Sequence, residues 1–251
     1  MCNNNIELEH IDIKIVDLPK ELFGFTIAHI SDVHIPNNIL NINTISTLIE
    51  NEKPDVIAMT GDLIYKYKEV EEDKLSNFCF NISKIAKTYA VTGNHESWSD
   101  IEKCCEIMNS NGVTIIDNKF DFYKRNDTSV LFMGLKEGSK YSDLNFDFVI
   151  EKKVPKILLS HRPELLWDYS SDLNCIKPDL VFCGHAHGGQ FRVPFINKGI
   201  YSPDQGIFPK YSSGLYFSSN KTQMVVSRGL GNSTFPIRIN NMPHIPIIRL
   251  K

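Results

Sequence analysis

Apolar residues recur along the chain in short runs of two kinds, and the order of those runs predicts the elements. Ile6 to Val16 alternates apolar and polar positions, as an edge strand with one buried face does. Phe25 to Ile30 is apolar on both sides, which suits a strand inside a sheet. Residues 38–51 carry Ile39, Ile42, Ile45, Leu48 and Ile49 close to a three-four spacing, so a helix is predicted there, ending before Pro54. The strand Asp55 to Met59 follows. A second helix is predicted over Val70 to Lys87, with Leu75, Phe78, Ile82, Ile85 and Ala86 on one stripe. Thr88 to Val91 reads as a strand. Asp100 to Ser110 reads as a third helix, with Ser99 as its N-cap and Gly112 just past its end.

Five further strands are predicted at Val113 to Ile116, Phe120 to Tyr123, Ser129 to Met133, Lys156 to Leu159 and Asp179 to Phe182. Beyond Gln190 the chain is rich in Gly, Pro and aromatics, with strand-like runs at Gly214 to Phe217, Met224 to Ser227 and Ile245 to Leu250. Alternating strands and helices indicate an α/β fold, and the β-rich later half indicates a second sheet packed on the first. The expected architecture is a four-layer sandwich of two mixed β-sheets flanked by helices, as one domain over residues 1–251.

Composition narrows the class. A chain of 251 residues can bury a full core, and its net charge of −3 lacks the basic excess of a general nucleic-acid binder. Cys2, Cys79, Cys104, Cys105, Cys175 and Cys183 form no C-x-x-C pair and are read as free thiols. Met1 to His10 lacks the basic and apolar regions of a secretory signal, and no apolar run reaches about 20 residues. A cytoplasmic location without a spanning helix is therefore expected.

The chemistry lies where the apolar runs stop. Asp32-Val33-His34, Gly61-Asp62, Gly93-Asn94-His95-Glu96, Ser160-His161 and Gly184-His185-Ala186-His187 each close a predicted strand. In an α/β sheet such phrases meet at the carboxyl edge. If the backbone stays extended, Asp32 with His34, and His185 with His187, point the same way. The donors are oxygen and imidazole nitrogen without thiolate, which suits Mn2+, Fe, Zn2+ or Co2+. Two such ions about 3.5–4 Å apart need a bridging carboxylate, and Asp62 is the residue placed for it.

This pattern resembles the calcineurin-like metallophosphoesterase superfamily, whose motifs are D-x-H, G-D, G-N-H-[D/E], H and G-H-x-H, across Gly24 to Gln190. Gly184 to Gln190 and Ser227-Arg228-Gly229-Leu230-Gly231 also resemble a bacterial branch marked by G-H-[T/A]-H-G-G-Q. The resemblance implies that Asp32, His34 and His187 bind one ion, and that Asn94, His161 and His185 bind the other. It implies two divalent ions, Mn2+ foremost, and a substrate phosphoryl group meeting His95.

The function this implies is phosphoester hydrolysis, with a phosphodiester or pyrophosphate as the leading substrate class. Water activated between the ions would attack in line, and His95 would be the general acid. Glu96 follows His95 directly, and a carboxylate held near an imidazole raises its pKa and keeps it charged, but the sequence leaves open whether Glu96 reaches the ring. Arg162, Arg192 and Arg228 are candidate substrate contacts. Gly61-Asp62-Leu63-Ile64-Tyr65-Lys66 lacks the acidic and arginine positions of the G-D-x-V-D-R-G phrase in protein serine/threonine phosphatases, which argues against that substrate class. Branch resemblance favours a small or lipid-linked phosphoester, with peripheral contact at the inner membrane face. A phosphomonoesterase and a metal-binding scaffold without turnover are the competing readings. The aromatic stretch Phe191 to Phe217 is read as a loop packed over the second sheet, in preference to an apolar lip.

Overall fold

In the computed structural model, the described residues are 5–36, 40–66, 69–144, 153–171, 176–196, 198–232 and 237–251. The chain runs β1 (Glu7–Ile13), β2 (Thr26–Ile30), α1 (Ile42–Glu52), β3 (Val56–Thr60), α2 (Glu72–Ser83), β4 (Lys87–Val91), α3 (Asn94–Ser97) and α4 (Ile101–Ser110). It continues through β5 (Val113–Ile115), β6 (Phe120–Arg125), β7 (Thr128–Gly134), β8 (Lys156–Leu159), α5 (Leu166–Tyr169) and β9 (Leu180–Cys183). The last third holds β10 (Tyr201–Ser202), β11 (Gly206–Ile207), β12 (Gly214–Phe217), β13 (Gln223–Val226) and β14 (His244–Leu250).

Two six-stranded sheets form, ordered β1-β14-β2-β3-β4-β5 and β12-β13-β9-β8-β7-β6. Both are mixed: β14 is antiparallel to β2 in the first, and β12 and β6 run against their neighbours in the second. The period-two alternation of side chains sorts each strand between two cores. Ile27, Val56, Ala58, Tyr89 and Val91 meet Phe132, Ile157, Leu159 and Phe182 between the sheets. Ala28, Ile30, Ile57 and Met59 face outward onto Ile45, Ile49, Leu75, Phe78 and Met108 of the helices. Leu131, Leu158 and Val181 face the other way, onto Tyr141, Leu166 and Tyr169. Among the described residues the sandwich is thus lopsided, with α1, α2 and α4 on one side and the short α5 with 3-10 turns at Tyr141–Asp143 and Pro163–Leu165 on the other.

Several boundaries differ from the sequence reading for local reasons. The first helix begins at Ile42 because the Asn41 side chain caps it, accepting from the Asn43 amide at 2.8 Å. The proposed start at Asn38 and Ile39 lies outside the described residues. The second helix stops at Ser83 instead of Lys87, because Lys87 is already paired with Val56 in the sheet. Asp100, not Ser99, caps α4: its carboxylate accepts from the Lys103 amide at 3.1 Å, while the Ser99 amide closes the preceding turn on Glu96. The final strand belongs to the first sheet, not the second, where it lies between β1 and β2. Cys79, Cys104, Cys105 and Cys183 are free thiols, and Cys2 and Cys175 lie outside the described residues. Among the described residues, no helix is long and apolar enough to cross a membrane.

Candidate metal centre

The phrases that close β2, β3, β4, β8 and β9 are stitched to one another. The Asp32 amide donates to the Gly61 carbonyl and the His34 amide to the Asp62 carbonyl, both at 3.0 Å. The His185 amide reaches both Asp32 carboxylate oxygens at 3.1 Å, and the His95 amide reaches Asp62 Oδ1 at 2.8 Å. A β-carbon on Gly61 would stand 2.5 Å from the Gly93 nitrogen, so the β3 and β4 turns touch backbone to backbone.

The expected extended geometry is not what aims the donors. Asp32, His34, Asp62, His185 and His187 all adopt left-handed backbone, with φ of 50°, 54°, 55°, 64° and 47°. Ala186 between the two histidines is right-handed, at φ −78° and ψ −12°. Each residue therefore turns its side chain inward through a local reversal of the chain. Such positions cost about 1–3 kcal/mol apiece and persist only where surrounding structure imposes them.

Two donor sets result. In the first, His34 Nε2 lies 3.1 Å from His187 Nε2, which lies 3.4 Å from Asp32 Oδ1. All three residues are buried, and the Nδ1 atoms of both histidines have no hydrogen-bond partner among the described residues. Burial pushes His34 down to about 3 and His187 well below the ordinary imidazole value, so both rings are neutral and each keeps a lone pair on one nitrogen. Burial raises Asp32 to about 6.

In the second set, His161 Nε2 is the hub, 3.0 Å from Asn94 Oδ1, 3.1 Å from His185 Nδ1 and 3.3 Å from Asp62 Oδ2. The other His161 nitrogen, Nδ1, donates to the Thr60 carbonyl at 2.7 Å. One N–H on Nε2 satisfies one of the three converging acceptors, whereas a cation serves all of them at once. Burial opposes charge on His161, yet Asp62 outweighs it and raises the ring to about 10. Asp62 is correspondingly held well below the ordinary carboxylate value: burial works against this, and the His161 charge and hydrogen bond prevail. A buried cluster of oxygen and imidazole donors, with lone pairs facing each other, fits divalent ions. Asp62 lies within reach of both sets, in one grouping with His161 and His185 and in another with His34 and His95.

His95 stands at the edge of the pair, with Nε2 3.7 Å from Asp62 Oδ2. Its Nδ1 accepts from the Lys66 amide at 3.0 Å, which puts the proton of the neutral ring on Nε2, and burial lowers its pKa. Glu96, whose reach the sequence leaves open, does not serve this ring. Its carboxylate instead accepts from the amides of Asp62, Leu63, Ile64 and Gly93, at 2.7–3.1 Å. Four donors of two strand-end turns thus share one buried anion.

The cluster opens into a cavity of about 590 Å³ whose walls include Lys66, Trp98, Arg162, Phe191, Ile200 and Tyr201. Of the three candidate arginines, only Arg162 lines it. Its guanidinium is bonded to Glu137, Glu164 and Asp204. Arg192 instead donates to the Gly188 carbonyl, and Arg228 pairs with Glu7 at 2.7 Å, so neither is brought to the cavity. The stretch after Gln190 is not the packed loop expected. Phe195, Ile196, Ile207 and Phe208 are exposed, and Ile200 and Tyr201 are partly exposed while lining the cavity.

Three residues without a motif also shape the site. Arg238 is fully buried and donates to the carbonyls of Arg228 and Gly231, and burial brings it down to about 10. Asn241 donates to the His187 carbonyl at 2.8 Å. Asp204 accepts from His185 Nε2 at 2.9 Å, and that bond, with Arg162 behind it, holds its carboxyl below the ordinary range.

Fold and cluster together define a metal-dependent phosphoester hydrolase. A family model described as calcineurin-like phosphoesterase matches residues 25–189, and the chain belongs to that family. Membership implies divalent metal ions, for which the two clusters offer donors. The uncharacterized metallophosphoesterase YkuE of Bacillus subtilis (strain 168) is 26% identical over 98% of this chain and 86% of its own length. Phosphodiesterase YaeI of Escherichia coli (strain K12) is 26% identical over 90% of this chain and 82% of its own length. Among solved structures, a 5'-nucleotidase precursor from Thermus thermophilus superposes with a TM-score of 0.53. That match covers 83% of this chain and 50% of the other at 12% identity, a likeness of fold alone.

Proposed function

We propose that this chain hydrolyses a phosphodiester or pyrophosphate at two divalent ions, one held by Asp32, His34 and His187, the other by Asn94, His161 and His185, with Asp62 shared. The observation that carries this reading is the convergence of both donor sets on Asp62, beside His95 and at the floor of an open cavity. The ions would neutralise the phosphoryl oxygens and acidify a water for in-line attack.

The chain's own groups have separate tasks. Thr60 and Asp204 fix the rings of His161 and His185, and Glu96 holds the turns that carry Asp62 and Asn94. The Lys66 amide occupies His95 Nδ1, so the neutral ring presents Nε2–H to the departing oxygen as a hydrogen-bond donor. Full proton transfer would first require protonation of Nδ1 and release of the Lys66 amide. Arg162 lines the cavity wall but is already paired with Glu137, Glu164 and Asp204, so it would meet a non-reacting phosphoryl oxygen only by exchanging one of these partners.

The resemblance to the YaeI phosphodiesterase supports a diester over a monoester. Trp98, Phe191, Ile200, Tyr201 and Pro203 on the cavity wall support a substrate with an apolar arm, a lipid-linked phosphoester in the strongest form of this reading. The phrase from Gly184 to Gln190 supports membership of the bacterial branch, and Mn2+ is the proposed metal. The chain acts as a single domain in the cytoplasm, touching the membrane from its inner face, and no protein partner is assigned.

Metal analysis of the purified protein, followed by assays of a chromogenic diester and monoester with added Mn2+, tests the proposal. Two ions per chain and faster turnover of the diester are expected. Full metal occupancy with turnover of neither would turn the reading toward a non-catalytic scaffold.

A further inference from the structure

Asp204 belongs to none of the motif phrases, yet it reaches the cluster. It lies in the turn between β10 and β11, at φ 59°, and its Oδ2 stands 2.9 Å from His185 Nε2. A carboxylate can only accept, so Nε2–H donates and the lone pair of the neutral ring falls on Nδ1. That atom is the one turned toward the second ion position, 3.1 Å from His161 Nε2. Arg162 Nη1 is bonded to the same Asp204 oxygen, and Arg162 Nε is anchored by Glu137 at 2.6 Å. The carboxylate is therefore clamped from behind while it holds the ring in front.

We propose that Asp204 is a positioning residue, which sets the tautomer and rotation of His185 so that Nδ1 completes the second ion position. It rests on the assignment of Asn94, His161 and His185 to that position. A carboxylate that receives the far N–H of a ligating imidazole fixes the ring and raises its basicity, and losing it costs roughly 10–100-fold in metal affinity. Asp204 also makes the β10–β11 hairpin, which carries Tyr201 of the cavity wall, part of the framework of the metal centre.

Calorimetric titration with Mn2+, read beside electron paramagnetic resonance of the loaded protein, tests this on wild type, Asp204→Ala and Asp204→Asn. Wild type is expected to take up two ions and to show the signal of a coupled pair. In Asp204→Ala the second ion should bind roughly 10–100-fold more weakly. The first ion and the melting temperature should stay unchanged, and an isolated-ion signal should appear at low loading. Asp204→Asn, whose amide oxygen still accepts from Nε2–H, should keep most of the second-ion affinity. Wild-type affinity for both ions in Asp204→Ala would overturn the proposal. So would an Asn variant as weak as the Ala variant, since a positioning acceptor would then be insufficient. Fewer than two ions in wild type would overturn the ligand assignment as well, which separates the two failures.

Discussion

The two donor sets are held in different ways. The first is enclosed by main chain: the amide of Leu230 donates to the Ser31 carbonyl, that of Gly231 to Asp32, and Arg238 and Asn241 tie down the surrounding carbonyls. The second is held partly by the Thr60 carbonyl on His161 and partly by side chains reaching from elsewhere, of which the outermost, Asp204, is 49% exposed. Asp32 and His34, in contrast, are fully buried. A position walled by backbone can open only when strands part, whereas one held by a surface carboxylate opens when a single hairpin moves. With both sets loaded as proposed, the first would be the retaining position and the second the exchanging one.

The largest test of that contrast removes what the sets share. Asp62→Ala should empty both positions, so metal content and turnover fall together to background; a variant that keeps one ion would show that the sets are independent. Next comes His95→Ala, expected to cut diester turnover by about 10²–10⁴-fold with both ions still bound. Unchanged rates on a substrate with a poor leaving group would remove His95 from the chemistry.

Gly184→Ala sharpens the comparison on the enclosed side. Its new β-carbon would collide with Ser31 Oγ and Asp32 Oδ2, and overpacking of this kind costs about 1–3 kcal/mol. Urea denaturation should show that loss, and metal titration should show the first ion weakened before the second. The smallest expected effect is a pH slope. Burial, then the Asp62 charge, raises Glu96 to about 7. A folded pKa above the unfolded one stabilises fully below the unfolded value, about 4.3, and that stability is lost as pH rises through the folded value. Glu96 should therefore pull the urea midpoint of metal-stripped protein down between about pH 4 and about pH 7, against the rise that the neutral His34 and His187 contribute over the same range. Glu96→Gln should remove that pull while lowering the midpoint at about pH 5.

Much of the fold was legible, and the reason is local. The strands at β2, β3, β8 and β9 are continuous apolar runs that end in a polar phrase, and each was placed to within a residue. Helix ends were placed less well, because they depend on which side chain reaches which amide, as at Asn41 and Asp100. The donor residues could be read from sequence because each lies in a contiguous phrase. Their inward aim could not, because positive φ is only a minority conformation even for aspartate and histidine, and the packing that imposes it comes from other strands. The partners of Glu96 are hidden for a related cause: they are amides of Asp62, Leu63 and Ile64, more than 30 positions away. Asp204 gave no signal at all, being one acidic residue in an aromatic stretch.

The placement of β14 has a consequence for how the protein is made. It supplies the strand that pairs with β2 on the side away from β3, with Ile247 opposite Ala28 and Ile248 opposite Ile27. Asp32 and His34 hang from the end of β2, so the strand that braces them is synthesised after every donor in the cluster. Until residues 244–250 leave the ribosome, the β2 edge stays open and exposed to mispairing with other chains. Ion capture at the first position would thereby wait on the completion of the sheet.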